Sequence, residues 1–448
     1  MAWGRLLARS DSHRAARFGL AMVMAFATAC SSTPPAAPTT PPKPAAPTAA
    51  VAAPASGTPI KLGVLADISP AFANQGAMMR IMTDYAVSRI NAEGGINGRP
   101  LQALYVDPKG DPGQVVQLAT QLVQQDNVDV LVGAVSSAEC LAVQGLASKL
   151  QIVYMTSTGC ATDDLTAKSC DKYTFRPGLS GAQNSDPLAA LLVKAYGPNW
   201  AILYQDYAFG QSYQKTWEES LKRVGGTLNV KIAMPLGEAN VTPYVTKIPT
   251  DGSINGFLPP TGGSDVAKVM SVFNQFGLGD KVGVAGAGNR ENFGGTWPDV
   301  LNGEIFIQEH PSVAVPGNVL SEAFVKGATQ VAALPEEKQL VDIMGGIAKF
   351  GPGGQGYQAY TAITALKRGM LKASYQSKED TNKLILALET LDEQPSADFP
   401  VGRFIMNKDD HQARAQQYIL KLNGQQEEIL QVVPAEEAPL IGTCKISG

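Results

Sequence analysis

From residue 60 onward the chain alternates short, β-branched apolar runs with stretches of helical periodicity, and this alternation constrains the fold more than any single motif. Residues 60–65 read as a strand, and 75–93 as a helix with Met78, Ile81, Met82, Tyr85 and Ile90 on one face. Residues 101–106 read as a second strand, followed by a helix over 111–125 with Val115, Leu118, Ala119 and Leu122 inward. A third run, 128–132, ends at Gly133 and passes through Ser136 and Ser137 into a helical pattern that lasts to residue 150, with a strand over 152–155 beyond it. Such alternation predicts a parallel sheet covered by helices on both faces. Ligands of such sheets bind beyond the carboxyl ends of the strands.

A second series of the same kind follows. Helices are predicted over 187–196, 210–224 and 264–276, and strands over 200–204, 227–234, 256–258, 282–285 and 305–308. Helices near 320–334, 356–373 and 380–391 come next, then antiparallel strands over 402–406 and 416–422. The fold class is therefore α/β, with two doubly wound, Rossmann-like lobes between which the chain crosses more than once.

The turn at 133–137 is the first candidate site. It leaves the unpaired N–H groups of a helix start and a serine hydroxyl aimed at one spot, an arrangement that suits a carboxylate or another acceptor-rich group. Its plainer reading is a helix cap supplied by Ser136 or Ser137.

At 448 residues, with 44% hydrophobic and 17% charged, the chain is long enough for two or three domains. Arg5, Arg9, Arg14 and Arg17 precede an apolar run over 18–29, which reads as an export signal over 1–30. The run falls short of the roughly twenty apolar residues that span a bilayer. The tract Phe26-Ala27-Thr28-Ala29-Cys30 resembles a lipoprotein cleavage site that would leave Cys30 as a lipidated first residue, the alternative being a conventional cut near Ala29. Residues 31–57, almost wholly Pro, Ala, Thr and Ser, read as an extended tether. The signal carries four Arg and Asp11, so its removal moves the formal charge from -4 to -7. An acidic body gives no reason to expect a nucleic-acid partner.

With Cys30 set aside, Cys140, Cys160, Cys170 and Cys444 remain, an even number in an exported chain. Cys160 and Cys170 flank a short polar loop and are the favoured disulfide, which leaves Cys140 to Cys444. Neither a metal nor another cofactor is expected: His13, His310 and His411 are the only histidines, and no Cys-x-x-Cys spacing occurs. The glycine run at 283–288 has the wrong spacing for a dinucleotide loop, and no Gly-x-Ser-x-Gly elbow is present, so an enzyme is not expected. His411 is expected at a hairpin turn on the surface.

Four landmarks in order, Asn91-Ala92-Glu93-Gly94-Gly95-Ile96-Asn97-Gly98, the 133–137 turn, Ala201 to Gly210 (AILYQDYAFG), and Gly402-Arg403-Phe404 followed by Asp409-Asp410-His411, resemble one family. It is the branched-chain amino acid (Leu/Ile/Val-binding) type of periplasmic solute-binding protein that serves ABC importers, and the resemblance covers roughly 58–433. It implies a type I periplasmic-binding-protein fold, two lobes joined by a three-crossing hinge, with 58–178 and 312–396 in lobe 1 and 179–311 and 397–448 in lobe 2. It also implies a monomer that captures a small molecule between its lobes and delivers it to a membrane permease. Its place would be the periplasm or the outer face of the cytoplasmic membrane, anchored through Cys30. A receptor that senses without transport shares every one of these features, and a secreted hydrolase is the more distant alternative.

The same resemblance implies ligand-binding positions. Ser137 matches the family's carboxylate-binding serine, with Ser136 beside it; Gly159 matches a backbone-carbonyl position, and Ala161 or Thr162 a threonine. Gln75 and Phe209 match the aromatic residues of the first and second lobes. The two family acids would fall near Ala182 and within 286–289, where this chain has no carboxylate. An ammonium would then be buried without a partner, at high cost. The expected ligand is accordingly a small polar or anionic solute such as an amide or a carboxylate.

Overall fold

The computed structural model describes residues 55–440, 442 and 444–446; the export signal, Cys30 and nearly all of the tether lie outside them. The first sheet is parallel throughout. Its strands are β1 (Ile60–Leu65), β2 (Leu101–Val106), β3 (Val130–Gly133), β4 (Tyr154–Met155) and β5 (Thr174–Phe175), ordered β2-β1-β3-β4-β5. Helices α1 (Ala73–Ala92), α2 (Pro112–Gln124), α3 (Ser137–Leu150) and the one-turn α4 (Asp164–Ala167) connect them. The apolar stripe of α1 is core, with Met78, Ile81, Met82 and Ile90 at most 2% exposed.

The second lobe repeats the plan with α5 (Gly181–Tyr196), β6 (Asn199–Gln205), α6 (Ala208–Arg223), β7 (Thr227–Met234), the short α7 (Thr242–Val245), β8 (Gly256–Leu258), α8 (Asp265–Gln275) and β9 (Gly283–Val284). Its parallel sheet runs β7-β6-β8-β9. A parallel bridge from Ala285 to Ile305 carries it on to β10 (Ile305–Gln308). The chain then returns to the first lobe, where α9 (Val319–Ala332), α10 (Lys338–Ile343) and α11 (Gln355–Lys372) pack on α1, and α12 (Thr381–Leu388) packs on α11. Stacking of Tyr85 on Tyr360, with centroids 5.3 Å apart, and an edge contact of Phe324 with Tyr360 at 4.9 Å fix that packing. Strands β11 (Asp392–Glu393), β12 (Phe404–Met406) and β13 (Ala413–Ala415) form a small antiparallel sheet. Finally β14 (Gln417–Asn423) inserts antiparallel between β10 and β15 (Gln426–Val433). Three passages between the lobes result: after β5, after β10 and between β13 and β14; residues 397–415, expected in lobe 2, pack instead on the first lobe, with Asp398 against Arg89 of α1 and Lys367 of α11 and Gln412 bridged to Arg176.

Three expectations are corrected. The disulfides join Cys140 to Cys160 and Cys170 to Cys444, with Cα atoms 5.8 and 6.2 Å apart. Neither Cys160 with Cys170 nor Cys140 with Cys444 is paired. Strands β3 and β4 are parallel neighbours, matched Leu131 to Tyr154 and Val132 to Met155, so the turns leaving their carboxyl ends run side by side and bring Cys140 to Cys160. Helix α5 begins at Gly181 rather than at Pro187, because Ser180 accepts from the Gln183 N–H at 3.2 Å and Gln183 accepts from the Ser180 N–H at 3.1 Å, a reciprocal cap. His411 does occupy a turn between strands, but it is fully buried. Its ring stacks on Phe175 at 3.9 Å and its nitrogens face the Thr174 carbonyl at 3.0 Å and Glu389 at 3.1 Å, since the Arg176–Gln412 bridge draws the turn against β5.

Just before β10, Glu304 accepts from the Ala287 N–H at 2.5 Å and is only 2% exposed. Burial pushes its carboxyl up to about 8 from 4.5, and burial likewise raises Glu291 and Glu309 to about 8. Each binds a proton more tightly in the folded chain than in the unfolded one. Its stabilising contribution is complete below about pH 4.5 and is lost as pH rises toward 8. Thermal unfolding should therefore show a melting temperature that falls between pH 5 and pH 8. Glu304→Gln should recover at least about 1 kcal/mol at pH 8 and almost nothing at pH 5; an equal effect at both would mean that Glu304 does not titrate between them.

Candidate functional site

Two turns at the carboxyl edge of the first sheet build one wall of a cavity. The turn after β3 needs Gly133, whose φ is +118° and whose added Cβ would lie 2.4 Å from the Leu65 carbonyl oxygen. The turn after β4 needs Gly159, at φ +83°, where a Cβ would lie 2.4 Å from the Val135 oxygen. Glycine at both positions lets the two turns touch. The Cys160 N–H then donates to the Val135 oxygen at 3.1 Å, the Thr162 N–H donates to Ser137 Oγ at 3.3 Å, and the Cys140–Cys160 disulfide closes the pair. Fully buried Arg176 ties the second turn from behind, donating to the carbonyls of Cys160 and Thr162. Thr158 Oγ1 donates to the Gln355 carbonyl at 2.9 Å and the Gly159 N–H to Gln358 Oε1 at 3.3 Å, which fastens the turn to α11.

Ser136 is the residue that caps α3, and its own N–H is held by Glu139 at 3.3 Å. Ser137, one position on, opens the helix and lines the cavity; its oxygen accepts from Thr162, which leaves its hydrogen free to donate. Below this turn, burial and the neighbouring Asp67 carboxyl raise Glu139, and burial raises Asp67, whose Oδ1 also accepts from the Gly110 N–H at 2.8 Å. Two adjacent buried carboxyls cannot both ionise, so a proton is retained between them.

The cavity lies between the lobes, and about 120 Å³ of it is open to the centres of water-sized spheres. Gln75, Ser137, Gly159 and Ala161 face it from the first lobe and Phe209 from the second, so five of the seven expected ligand positions meet in one place. Ser136 and Thr162 are buried behind the wall rather than on it. Around Phe209 the second lobe supplies an aromatic face that the sequence did not single out: Tyr213 is 4.5 Å away, Tyr207 is 6.1 Å away, and Trp217 also lines the wall.

A third face, by the crossings, is made of carboxamides and one acid: Asn292, Gln308, Glu309, Gln355 and Gln358. Glu309 corrects the expectation of a site without a carboxylate. It follows β10 directly, so the rule that sites form beyond strand ends would have pointed to it. Burial holds its carboxyl up at about 8, with Gln358 beside it pulling the other way. Among the described residues lining the cavity there is no Lys, Arg, His or Asp.

The periplasmic-binding-protein family model matches residues 59–427. A Leu/Ile/Val-binding protein homolog from Brucella melitensis is 24% identical over 380 residues, covering 81% of this chain and 84% of the relative. Among solved structures, a leucine-, isoleucine-, valine-, threonine- and alanine-binding protein from Brucella ovis in a closed conformation superposes with a TM-score of 0.74 at 19% identity, covering 87% of this chain and 100% of the other. A solute-binding protein of an ABC transporter from Rhodopseudomonas palustris, in complex with 3,4-dihydroxybenzoic acid, gives a TM-score of 0.72 at 17% identity over 85% and 99% of the two chains. Two doubly wound lobes, a cavity between them and a family match along most of the chain lead to one assignment: the protein is a type I periplasmic binding protein of the branched-chain amino acid family.

Proposed function

We propose that this chain is an extracytoplasmic solute-binding lipoprotein, lipidated at Cys30 and held off the membrane by its 31–57 tether, that captures a small polar solute and delivers it to the permease of an ABC importer. The observation that carries this reading is the convergence of Ser137 at the start of α3, the Gly159–Ala161 turn and Phe209 on one cavity between two lobes. A carboxylate or other acceptor end of the solute lies against the Ser137 hydroxyl and the N–H groups of the α3 start. The solute body packs on Phe209 and Tyr213. Proteins of similar fold agree in kind: one binds leucine, isoleucine, valine, threonine and alanine, and another holds 3,4-dihydroxybenzoic acid.

Because the walls belong to different lobes, a solute that touches both favours the closed arrangement by its differential affinity for it. The monomer then presents a closed face to the permease.

A thermal-shift screen of the mature chain against amino acids, amides, ureas, organic acids and aromatic acids should find a solute that stabilises it by about 2.7 kcal/mol at a hundred times its dissociation constant. If no class shifts the melting temperature, the solute-binding reading fails. Ser137→Ala should weaken that solute about tenfold or more, the worth of one charge-assisted hydrogen bond, while the ligand-free protein loses about 1 kcal/mol through the Thr162 N–H. Calorimetric titration beside a melt separates the two effects; unchanged affinity in a destabilised variant would make Ser137 a structural residue only.

A further inference from the structure

The chain does not stop where its second lobe is complete. Val433, the last residue of β15, pairs with Gln417 at the foot of β14 and sits in the second-lobe apolar cluster with Trp200, Ile307 and Ile419. Two residues later the surroundings change. Ala435 and Ala438 are at most 4% exposed, and the turn between them lies against β13. Glu436 forms an ion pair with Arg403, and Arg414 Nη1 donates to the Glu436 carbonyl at 3.3 Å. Arg403 is fixed in turn by Asp392 of β11, to which it donates twice at 2.6 Å. Farther on, the Ile446 N–H donates to the Asp409 carbonyl at 2.8 Å, and Cys444 is joined to Cys170, just before β5. Each of these anchors belongs to the first lobe or to the small sheet packed on it.

The β14–β15 hairpin therefore has both feet on the first lobe, one through Ala415-Gln416-Gln417 and one through Val433-Pro434-Ala435. A hairpin held at one foot swings and twists about a point, whereas one held at two feet turns only about the line that joins them. Pro434 stiffens the second foot, its ring fixing φ at -61°. The clasp at Glu436 is weak alone: the Arg403 and Glu436 side chains are 33% and 51% exposed, and exposed ion pairs near a chain end contribute little and fray. A covalent bond makes it lasting. Cys170 precedes all three passages between the lobes and Cys444 follows them, so this disulfide, spanning 274 residues, closes a ring that contains the whole second lobe.

We propose that the tail beyond β15, fixed at Ala435–Glu437 and at Cys444, is a strap: a fourth hinge strand that limits how far the lobes of the empty protein spread and twist. It acts without a solute, so it stands or falls apart from the solute-binding reading.

The test compares the ligand-free mature chain with two variants by small-angle X-ray scattering and hydrogen–deuterium exchange. Cys170→Ser combined with Cys444→Ser cuts the strap. Insertion of about four Gly/Ser residues between Val433 and Pro434 keeps the disulfide and the Glu436 clasp but slackens the strap, and the longer loop costs little stability. Both variants should show a larger radius of gyration than the native chain and amide exchange about tenfold faster at the 176–180, 309–318 and 415–417 passages, with β1, β3 and β6 unchanged. The slack variant should keep a native melting temperature while the cut one melts lower, since only the cut one loses the ring. Native scattering and native exchange in the slack variant overturn the proposal, whatever the cut variant does, because the disulfide then stabilises the tail without restraining the hinge. Faster exchange confined to the tail overturns it likewise.

Discussion

The site depends on the parallel pairing of β3 with β4. Two strands in register deliver their following turns to the same edge at the same height, and in this chain both turns carry a glycine with positive φ where any side chain would strike a backbone oxygen. Backbone contact between the turns follows, and from it the whole first-lobe wall: the Cys160–Val135 hydrogen bond, the Thr162–Ser137 hydrogen bond and the disulfide that fixes their spacing. The disulfide adds little to a geometry the sheet has already set. Both sulfurs lie in the buried apolar cluster with Ala134, Val143, Tyr154 and Leu165, so the bond and that cluster hold the two loops together.

Buried acid is the second theme, and the protein handles it in two ways. Asp398, in the first lobe, is surrounded by Arg89, Lys367 at 3.0 Å and Arg368 at 2.7 Å. Burial alone would raise it, but Arg89 and Lys367 outweigh that and hold it below the usual carboxylate range. Asp67, Glu139, Glu304 and Glu309 have no such cations, and burial raises them all. Asp398 serves packing between α1 and α11, where a fixed charge is matched on every side. These acids, held up by burial, stand beside strand ends and in the first turn of α3.

What could be read from the sequence divides along the range of the interactions involved. Strands at 60–65 and 101–106 were legible to the residue, because alternation of apolar runs and helical stripes is a local signal that the sheet merely completes. Ser137, Gly159, Ala161, Gln75 and Phe209 came from resemblance to a family, and all five face one cavity. The disulfides were misread because loop length was used where strand adjacency decides, and adjacency is a non-local fact. His411 was misplaced for a related reason: a polar turn between two short strands looks exposed until a distant strand, β5, is found packed against it. The helix expected over 187–196 begins six residues earlier, at Gly181, because the Ser180-to-Gln183 cap lies upstream of the apolar stripe on which that expectation rests.

Glu309 shows the limit of carrying a family's residues over position by position. The acids that relatives place near Ala182 and residues 286–289 are absent here, and a one-to-one comparison stops at their absence. The cavity brings a carboxyl from another element, the end of β10, where the chain leaves the second lobe for the first. A residue at a crossing belongs to neither wall alone, so no comparison confined to the two walls finds it; burial keeps its carboxyl raised, with the Gln358 carboxamide beside it pulling the other way.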